Sequence, residues 1–183
     1  MFNLRPICAA AALVSAAVAA TAVAPTFFQE EPKPTEQHEM LMKGVGEWEG
    51  TLTMTMPGME GAMKATETVT AFGSFWTHSN FTATFDEMPF PYHGHGQMGF
   101  DPATEEFVGT WTHNTDPHIA VMRGKMNDAG EMVMHWEAPM PMTGELVPHR
   151  SVTKHGDGEY EMKFFMGEGD AEFSHMTIAM KRK

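Results

Sequence analysis

Short segments in which apolar and polar residues alternate recur about every ten residues along this sequence, with glycine, proline or asparagine between them. The clearest begins at Trp48, where Trp48, Leu52 and Met54 alternate with glutamate and threonine. Before it, residues 35–43 predict a helix with Thr35 as its N-cap. The predicted strands after it are not separated by predicted helices. The pattern predicts an all-β fold, an antiparallel up-and-down barrel of about ten strands with one short N-terminal helix, because closure removes exposed strand edges.

The first part of the chain predicts two regions ahead of the barrel. Residues 1–24 carry one charge, followed by a short alanine-rich run and small residues, which is typical of a secretory signal peptide. Residues 25–34 are rich in proline and charge, so we expect a flexible tether. Residues 35–183 are then expected to form a single β-barrel domain whose leading helix buries Met40 and Leu41.

The charge and cysteine content exclude several classes of partner and site. The formal net charge is -12 with the histidines neutral, and such a surface repels nucleic-acid phosphates and anionic lipid heads. We therefore expect no nucleic-acid partner and, after removal of the signal peptide, no membrane partner. Cys8 is the only cysteine and lies in the predicted signal peptide, so disulfides and thiol chemistry are not expected. The predicted destination is the periplasm or the external medium, and the oligomeric state stays open.

Residues 88–111 predict a glycine-rich β-hairpin with one apolar face. If Phe100 pairs with Glu105, Gly94 lies opposite Trp111, where the missing side chain leaves room for the indole ring. An inward face of this kind fits either a cavity for a small molecule or a filled core. The candidate ligand-binding residues are those predicted to point inward: Tyr92, Met98, Phe100, Phe107, Trp111 and His113.

His93 and His95 are the candidate metal ligands. Two residues apart on one strand, their imidazoles project from the same face, and a third ligand from a neighbouring strand would complete a zinc site. The predicted register puts His113 on the opposite face, so the third ligand would be another histidine, such as His78 or His149. The alternative is that both histidines simply face solvent.

The sequence contains 19 methionines, and a thioether with a nearby histidine is a suitable ligand set for copper in an exported protein. Many of them continue apolar strand faces, as Met132 and Met134 do before Trp136. Methionine also fills irregular apolar cavities well. Core packing or cavity lining is therefore the favoured interpretation. No cofactor is predicted, and zinc or copper is the alternative.

Motifs for catalysis are missing from the sequence. There is no nucleophile elbow, no zinc-protease helix motif and no phosphate-binding glycine loop. Carboxylates such as Glu47, Glu49 and Glu67 are expected on polar strand faces, where solvation explains them. No residue is assigned a catalytic role, and enzymatic activity is not predicted.

The stretch Gly46-Glu47-Trp48 after a short helix is similar to the Gly-x-Trp opening of lipocalin-type barrels. In those barrels a basic residue from a late strand covers the tryptophan. The resemblance implies that Arg182 or Lys181 stacks on Trp48 here.

A wider resemblance rests on the order and spacing of six stretches: Gln37-His38-Glu39, Gly46-Glu47-Trp48, Met88-Pro89, Gly99-Phe100-Asp101, Phe107-Val108-Gly109-Thr110-Trp111 and Met176-Thr177-Ile178-Ala179-Met180-Lys181-Arg182. From about residue 35 to its end, the chain resembles the exported bacterial family of domain of unknown function 1579. In that family an acidic residue commonly lies two positions after Trp111, where this chain has His113. The resemblance supports the barrel and implies no activity.

The leading hypothesis is an exported lipocalin-like barrel that binds a small apolar or amphipathic ligand in its interior, without catalysis. One alternative is a periplasmic metal-handling protein that holds zinc or copper with histidine and methionine ligands. The other is a structural or protein-interaction barrel with a filled core.

Overall fold

A computed structural model, which describes residues 31–84, 90–140 and 143–183, shows a closed antiparallel β-barrel preceded by one short helix. The predicted fold class is confirmed. The compact unit spans Lys33–Lys183, and the predicted signal peptide lies outside the described residues. Among the described residues the elements are α1 (Glu36–Met42), β1 (Gly46–Met54), β2 (Gly61–Phe72), β3 (Trp76–Thr84), β4 (Tyr92–Asp101), β5 (Glu106–His113), β6 (Asp116–Met126), β7 (Met132–Pro139), β8 (Leu146–His155), β9 (Glu159–Met166) and β10 (Phe173–Arg182), with a 3-10 turn at Gly169–Ala171.

Each strand pairs with its neighbours in sequence, and β10 pairs with β1 to close the barrel. Short connections favour this order because they join strands that lie side by side. Side chains therefore alternate between the barrel interior and its outer surface. We call the end at which α1 lies and β1 begins the helix end. The opposite end, where β4 begins and β5 finishes, is the distal end.

The helix α1 covers the helix end through a buried histidine. Thr35 is its N-cap, and the Thr35 backbone N–H donates to Nδ1 of His38 at 3.0 Å. His38 is 2% exposed and packs edge-on against Phe100, with ring centres 5.7 Å apart. Met40 and Leu41, the residues predicted to be buried, are partly buried beside it. Among the described residues no helix has the length and apolar character needed to cross a membrane.

Trp48 closes the interior at the helix end. Its ring is 5% exposed, and Nε1 donates to the backbone oxygen of Gly44 at 2.9 Å. The Arg182 guanidinium lies 4.4 Å from the centre of the Trp48 ring, so the predicted stacking of a late basic residue is confirmed. The same guanidinium donates hydrogen bonds to the backbone oxygens of Val45 and Lys43 at 2.7 and 2.5 Å. It thereby ties β10 to the segment that joins α1 to β1.

Arg182→Met is expected to lower the free energy of unfolding by about 1 kcal/mol, because it removes a cation–π contact and hydrogen bonds to two carbonyls. Urea unfolding measures the change. Lys181→Met is the matched control, since its ammonium lies 3.9 Å from the Glu159 carboxylate in an exposed pair worth less than about 0.5 kcal/mol. Equal losses in the two variants would contradict the role assigned to Arg182.

Inward side chains form two groups of buried residues in the described part of the barrel. One surrounds Trp48 where β1, β2, β3 and β10 meet, and it is built from Trp48, Leu52, Met63, Ala65, Phe81, Ala83, Ile178 and Met180. The other consists of Phe107, Met132 and Met134, against which α1 packs. Met132 and Met134 thus serve as packing residues, as the sequence favoured.

The predicted register of the β4–β5 hairpin is wrong by two residues. Phe100 pairs with Phe107 instead of Glu105, and Trp111 pairs with Gly96 instead of Gly94. Glu105 belongs to the turn, where its φ of 54° is one that side-chain-bearing residues rarely adopt. A shift of two residues keeps every side chain on its predicted face, so the inward set is unchanged.

The expectation that Glu67 lies on a polar strand face is also wrong. It follows Met63 and Ala65 on the inward face of β2, and its carboxylate accepts hydrogen bonds from the Ser79 hydroxyl and, at 2.6 Å, from the Tyr160 hydroxyl. Burial, and then the Glu67 charge, raises the pKa of Tyr160, so this phenol stays protonated and keeps donating. The carboxylate is therefore held by partners instead of water.

Candidate functional site

The indole of Trp111 lies flat against a wall of glycines. A Cβ atom added at Gly94 would lie 2.1 Å from Cζ2 of Trp111, and one added at Gly96 would lie 2.5 Å from Cε3. No other residue type fits beneath the ring. The two glycines therefore let a large aromatic side chain lie along the wall without projecting across the barrel, as the sequence predicted.

Tyr92 and His113 flank Trp111 at the distal end. Trp111 Nε1 donates to the Tyr92 hydroxyl at 2.9 Å, and the Tyr92 and His113 ring centres are 5.2 Å apart. Burial raises the pKa of Tyr92. Burial also lowers the pKa of His113, against an opposing effect of Asp116. Both groups are thus neutral near pH 7, which leaves a polar but uncharged cluster beside the indole.

The remaining predicted ligand-binding residues lie farther along the barrel. Met98 lies over Gly109, with its sulfur 3.1 Å from where a Cβ would be. Phe100 and Phe107 pack against each other near α1, with ring centres 5.2 Å apart, and Phe107 is 1% exposed. Tyr92 and Phe100 are eight positions apart on β4, so their backbones are separated by about 26 Å along the strand. The structure therefore brings Tyr92, Trp111 and His113 together and assigns Phe100 and Phe107 to the packing at the helix end.

Many inward side chains are only partly buried even though they point into a closed barrel. A barrel of eight strands is just filled by its side chains or holds one small ligand, and the larger number described here encloses more space. An inward side chain can be partly exposed only to space inside the barrel or at its ends. The large side chains in this class are Met54, Tyr92, Met98, Phe100, Trp111, Met122, Trp136, Tyr160, Met162, Phe164 and Met176.

A pair of buried histidines lies on β8 and β10, which are three and five strands around the barrel from β5, the strand that carries Trp111. His149 and His175 are 8% and 7% exposed, with ring centres 5.7 Å apart. Trp136 stacks on His149 at 5.5 Å, and Phe164 contacts His175 edge-on at 6.4 Å. Among the described residues, His149 Nε2 and His175 Nδ1 are buried without a hydrogen-bond partner.

Sequence reasoning did not assign this pair to the interior. The pairing of Trp136 with His149 and of Met134 with Ser151 carries the apolar face of β7 onto polar residues of β8. If Met134 and Trp136 on β7 are assigned to the barrel interior, this pairing places His149 in the interior as well. His175 gave no such signal, because an irregularity between Ser174 and Met176 shifts the pairing of β10 with β9.

The candidate metal ligands His93 and His95 lie on the outer surface. Nδ1 of His93 lies 3.2 Å from the Thr82 hydroxyl, and Nδ1 of His95 lies 3.0 Å from the Asn80 side-chain oxygen. The His78 ring centre is 6.0 Å from that of His95. Within the described ranges, no group of three or more histidine, cysteine, aspartate or glutamate side chains is placed to hold a metal ion.

An open groove of about 920 Å³ runs along the outer surface near β1, β2, β9 and β10. Its lining mixes acidic and basic side chains, among them Glu49, Lys64, Lys154, Glu161 and Lys181. Exposed charges of both signs are ordinary on a soluble surface. The groove therefore supports no apolar site, and the interior is the better candidate.

Residues 33–182 match the model of a protein family described as "Protein of unknown function (DUF1579)". The chain belongs to the DUF1579 family. The match spans all of the described strands, so the resemblance noted from six short stretches is confirmed along the barrel. No curated protein matches the chain.

The DUF1579 description assigns no activity, so the function must be argued from the barrel. His113 is the last residue of β5, and its ring contacts that of Tyr92. In this DUF1579 protein the position therefore belongs to the polar cluster beside Trp111.

Proposed function

We propose that this DUF1579 protein is a carrier barrel that binds a small apolar or amphipathic molecule in its interior. The observation that carries the proposal is the partly buried Trp111 indole, which lies flat on Gly94 and Gly96 on the inward face of the barrel. A wall built in this way offers a broad apolar surface without filling the interior. Pockets that bind small molecules are typically apolar with a few polar groups.

Partly exposed methionine and aromatic side chains supply the rest of the apolar surface. Burying a guest against them gains roughly 25 cal/mol per Å² of apolar area, from which the cost of ordering the guest is subtracted. Methionine adapts its shape to the guest, so the site tolerates a range of apolar skeletons. The Tyr92 hydroxyl and the His113 ring, side by side at the distal end, provide polar groups that orient one end of the guest.

A carrier with this function would operate outside the cytoplasm. The predicted signal peptide over residues 1–24 supports export to the periplasm or the medium, and the acidic surface keeps an exported protein soluble. An apolar metabolite is poorly soluble in that compartment. Sequestering it from water is the task that an apolar interior performs.

Fluorescence titration with the uncharged apolar dye N-phenylnaphthylamine tests the proposal. We expect the wild-type protein to bind the dye and Trp111→Ala to weaken binding by roughly tenfold, because it removes the stacking surface. Trp76→Ala is the matched control. Trp76 lies on Gly99 in the same way, 2.4 Å from where a Cβ would be, but on the outer surface.

Comparing the two tryptophan variants therefore distinguishes dye binding inside the barrel from dye binding on its outer surface. Binding that is lost in Trp111→Ala and kept in Trp76→Ala supports an interior site. Binding that is unchanged in Trp111→Ala, or absent from the wild-type protein, refutes it. Circular dichroism of both variants confirms that strand content survives.

A further inference from the structure

The interior of the barrel carries unpartnered polar atoms but very little charge. His149 Nε2 and His175 Nδ1 are buried without a partner in the described structure, on side chains more than nine-tenths buried. A buried polar atom that lacks a hydrogen bond is costly, so these two nitrogens call for a partner that the described residues do not supply. His149 lies on the inward face of β8 and stacks on Trp136, and His175, at the irregularity of β10, contacts His149 and Phe164.

Within the described ranges, no lysine or arginine side chain contacts this pair of histidines, so no fixed positive charge would hold an anion there. On the inward faces of the described strands the only arginine or lysine is Arg182, which lies beyond Trp48 at the helix end and donates to backbone oxygens. Two carboxylates lie on this face in the same ranges: Glu67 is held by Ser79 and Tyr160, and Asp116, at the distal end beside His113, accepts from the backbone N–H of His118. The protein as a whole is strongly acidic, which opposes the approach of an anion.

The imidazoles themselves are also neutral. Burial lowers the pKa of His149. Burial, and then repulsion from His149, lowers the pKa of His175 to about 4. Each neutral imidazole has one nitrogen that donates and one that accepts. The pair therefore suits a partner that is itself uncharged and can both donate and accept.

We propose that His149 and His175 form the polar subsite of the interior and bind the hydroxyl group of an uncharged amphipathic alcohol. The assignment rests on the carrier function proposed above and names the class of its ligand. The hydroxyl accepts from the N–H of one imidazole and donates to the bare nitrogen of the other. Ring centres 5.7 Å apart are close enough for one oxygen to hydrogen-bond to both, since each bond spans about 2.8–3.0 Å. The hydrocarbon part then lies against the wall formed by Trp111.

Competition with N-phenylnaphthylamine measures the preference for the head group. Dodecanol and dodecanoate share a chain and differ in charge at about pH 8, where the acid is fully ionised. We expect dodecanol to displace the dye at concentrations at least about tenfold lower than dodecanoate, because a carboxylate buried beside two neutral imidazoles would lack both a cation and the pair of hydroxyl donors that Glu67 has. Equal or tighter binding of dodecanoate would overturn the proposal.

Substitution of the pair tests which residues hold the hydroxyl. In the double variant His149→Phe/His175→Phe the rings and their stacking are retained and the hydrogen bonds are lost. We expect dodecanol to bind roughly tenfold more weakly, so that its preference over dodecanoate falls by about the same factor. The outer-surface double variant His93→Phe/His95→Phe is the control and should keep the wild-type preference. Unchanged dodecanol affinity in the inner variant would mean that the pair is satisfied by water alone.

A measurement on the wild-type protein covers the case in which the inner variant does not fold. In protein with ¹⁵N-labelled histidine, dodecanol should shift the ring-nitrogen signals of His149 and His175 and leave those of His93 and His95 in place. No shift of the inner signals at saturating dodecanol would reject the subsite. If the dye itself fails to bind wild-type protein, the carrier function fails. Dye binding without a preference for dodecanol removes the hydroxyl subsite alone.

Discussion

Gly94→Ala is expected to lower the free energy of unfolding by about 2–3 kcal/mol and to abolish binding of the apolar dye. The new Cβ would lie 2.1 Å from Cζ2 of Trp111, so the indole must leave the wall. It then loses its hydrogen bond to the Tyr92 hydroxyl at 2.9 Å and its edge contact with Phe81. The displaced ring also occupies the space proposed for the ligand. Urea unfolding and dye titration measure the two effects on the same sample.

Two controls separate this steric effect from the general effect of replacing a glycine. Gly61→Ala alters the first residue of β2, where an added Cβ meets nothing within 4 Å. It should be neutral or stabilising by up to about 1 kcal/mol, because alanine loses less conformational freedom on folding. In a Trp111→Ala background, Gly94→Ala should cost less than about 0.5 kcal/mol, since the colliding ring is gone. A full cost in that background would show that the indole is not the cause.

The strands could be predicted because their signals are local. Alternation from Trp48 to Met54 and turn residues such as Gly130 and Gly158, both with positive φ, mark elements that depend on nearby residues alone. Pairing is less local. The register of the hairpin depended on whether Glu105 belongs to the strand or to the turn. Its backbone is left-handed, a conformation that a glutamate in the sequence does not predict.

The candidate site could be predicted only in part, for a related physical reason. A register shift of two residues leaves each side chain on the same face, so Tyr92, Trp111 and His113 point inward as the sequence predicted. The sequence did not predict that these three lie together. The same shift changes the position of a residue along the barrel axis. Phe107 therefore belongs to the packing near α1 and not to the cluster around Trp111. Because imidazole is polar, a histidine in the sequence is expected at the surface. Among the described residues, however, His38, His149 and His175 are buried.

Lowering the pH from 6.5 to about 4 is expected to reduce the free energy of unfolding by on the order of 3 kcal/mol through His175. Burial is the main cause that lowers the pKa of His175 to about 4 from the ordinary value of 6.5. In this window the unfolded chain binds a proton at His175 and the folded chain does not. Stability is therefore complete above pH 6.5 and falls progressively as the pH drops towards 4. Burial lowers the pKa of His149 as well, which adds loss in the same direction.

Urea unfolding of wild-type protein and His175→Gln at a series of pH values measures this contribution. Glutamine removes the titrating group, so the variant should lose much less stability than wild type between pH 6.5 and about 4, whatever its stability at neutral pH. His95→Gln, on the outer surface, should keep the wild-type pH dependence. If His175→Gln shows the same acid loss as wild type, His175 is not buried as a neutral ring. The uncharged partner proposed for it would then lose its physical basis, because a charged imidazole pair would favour a carboxylate instead.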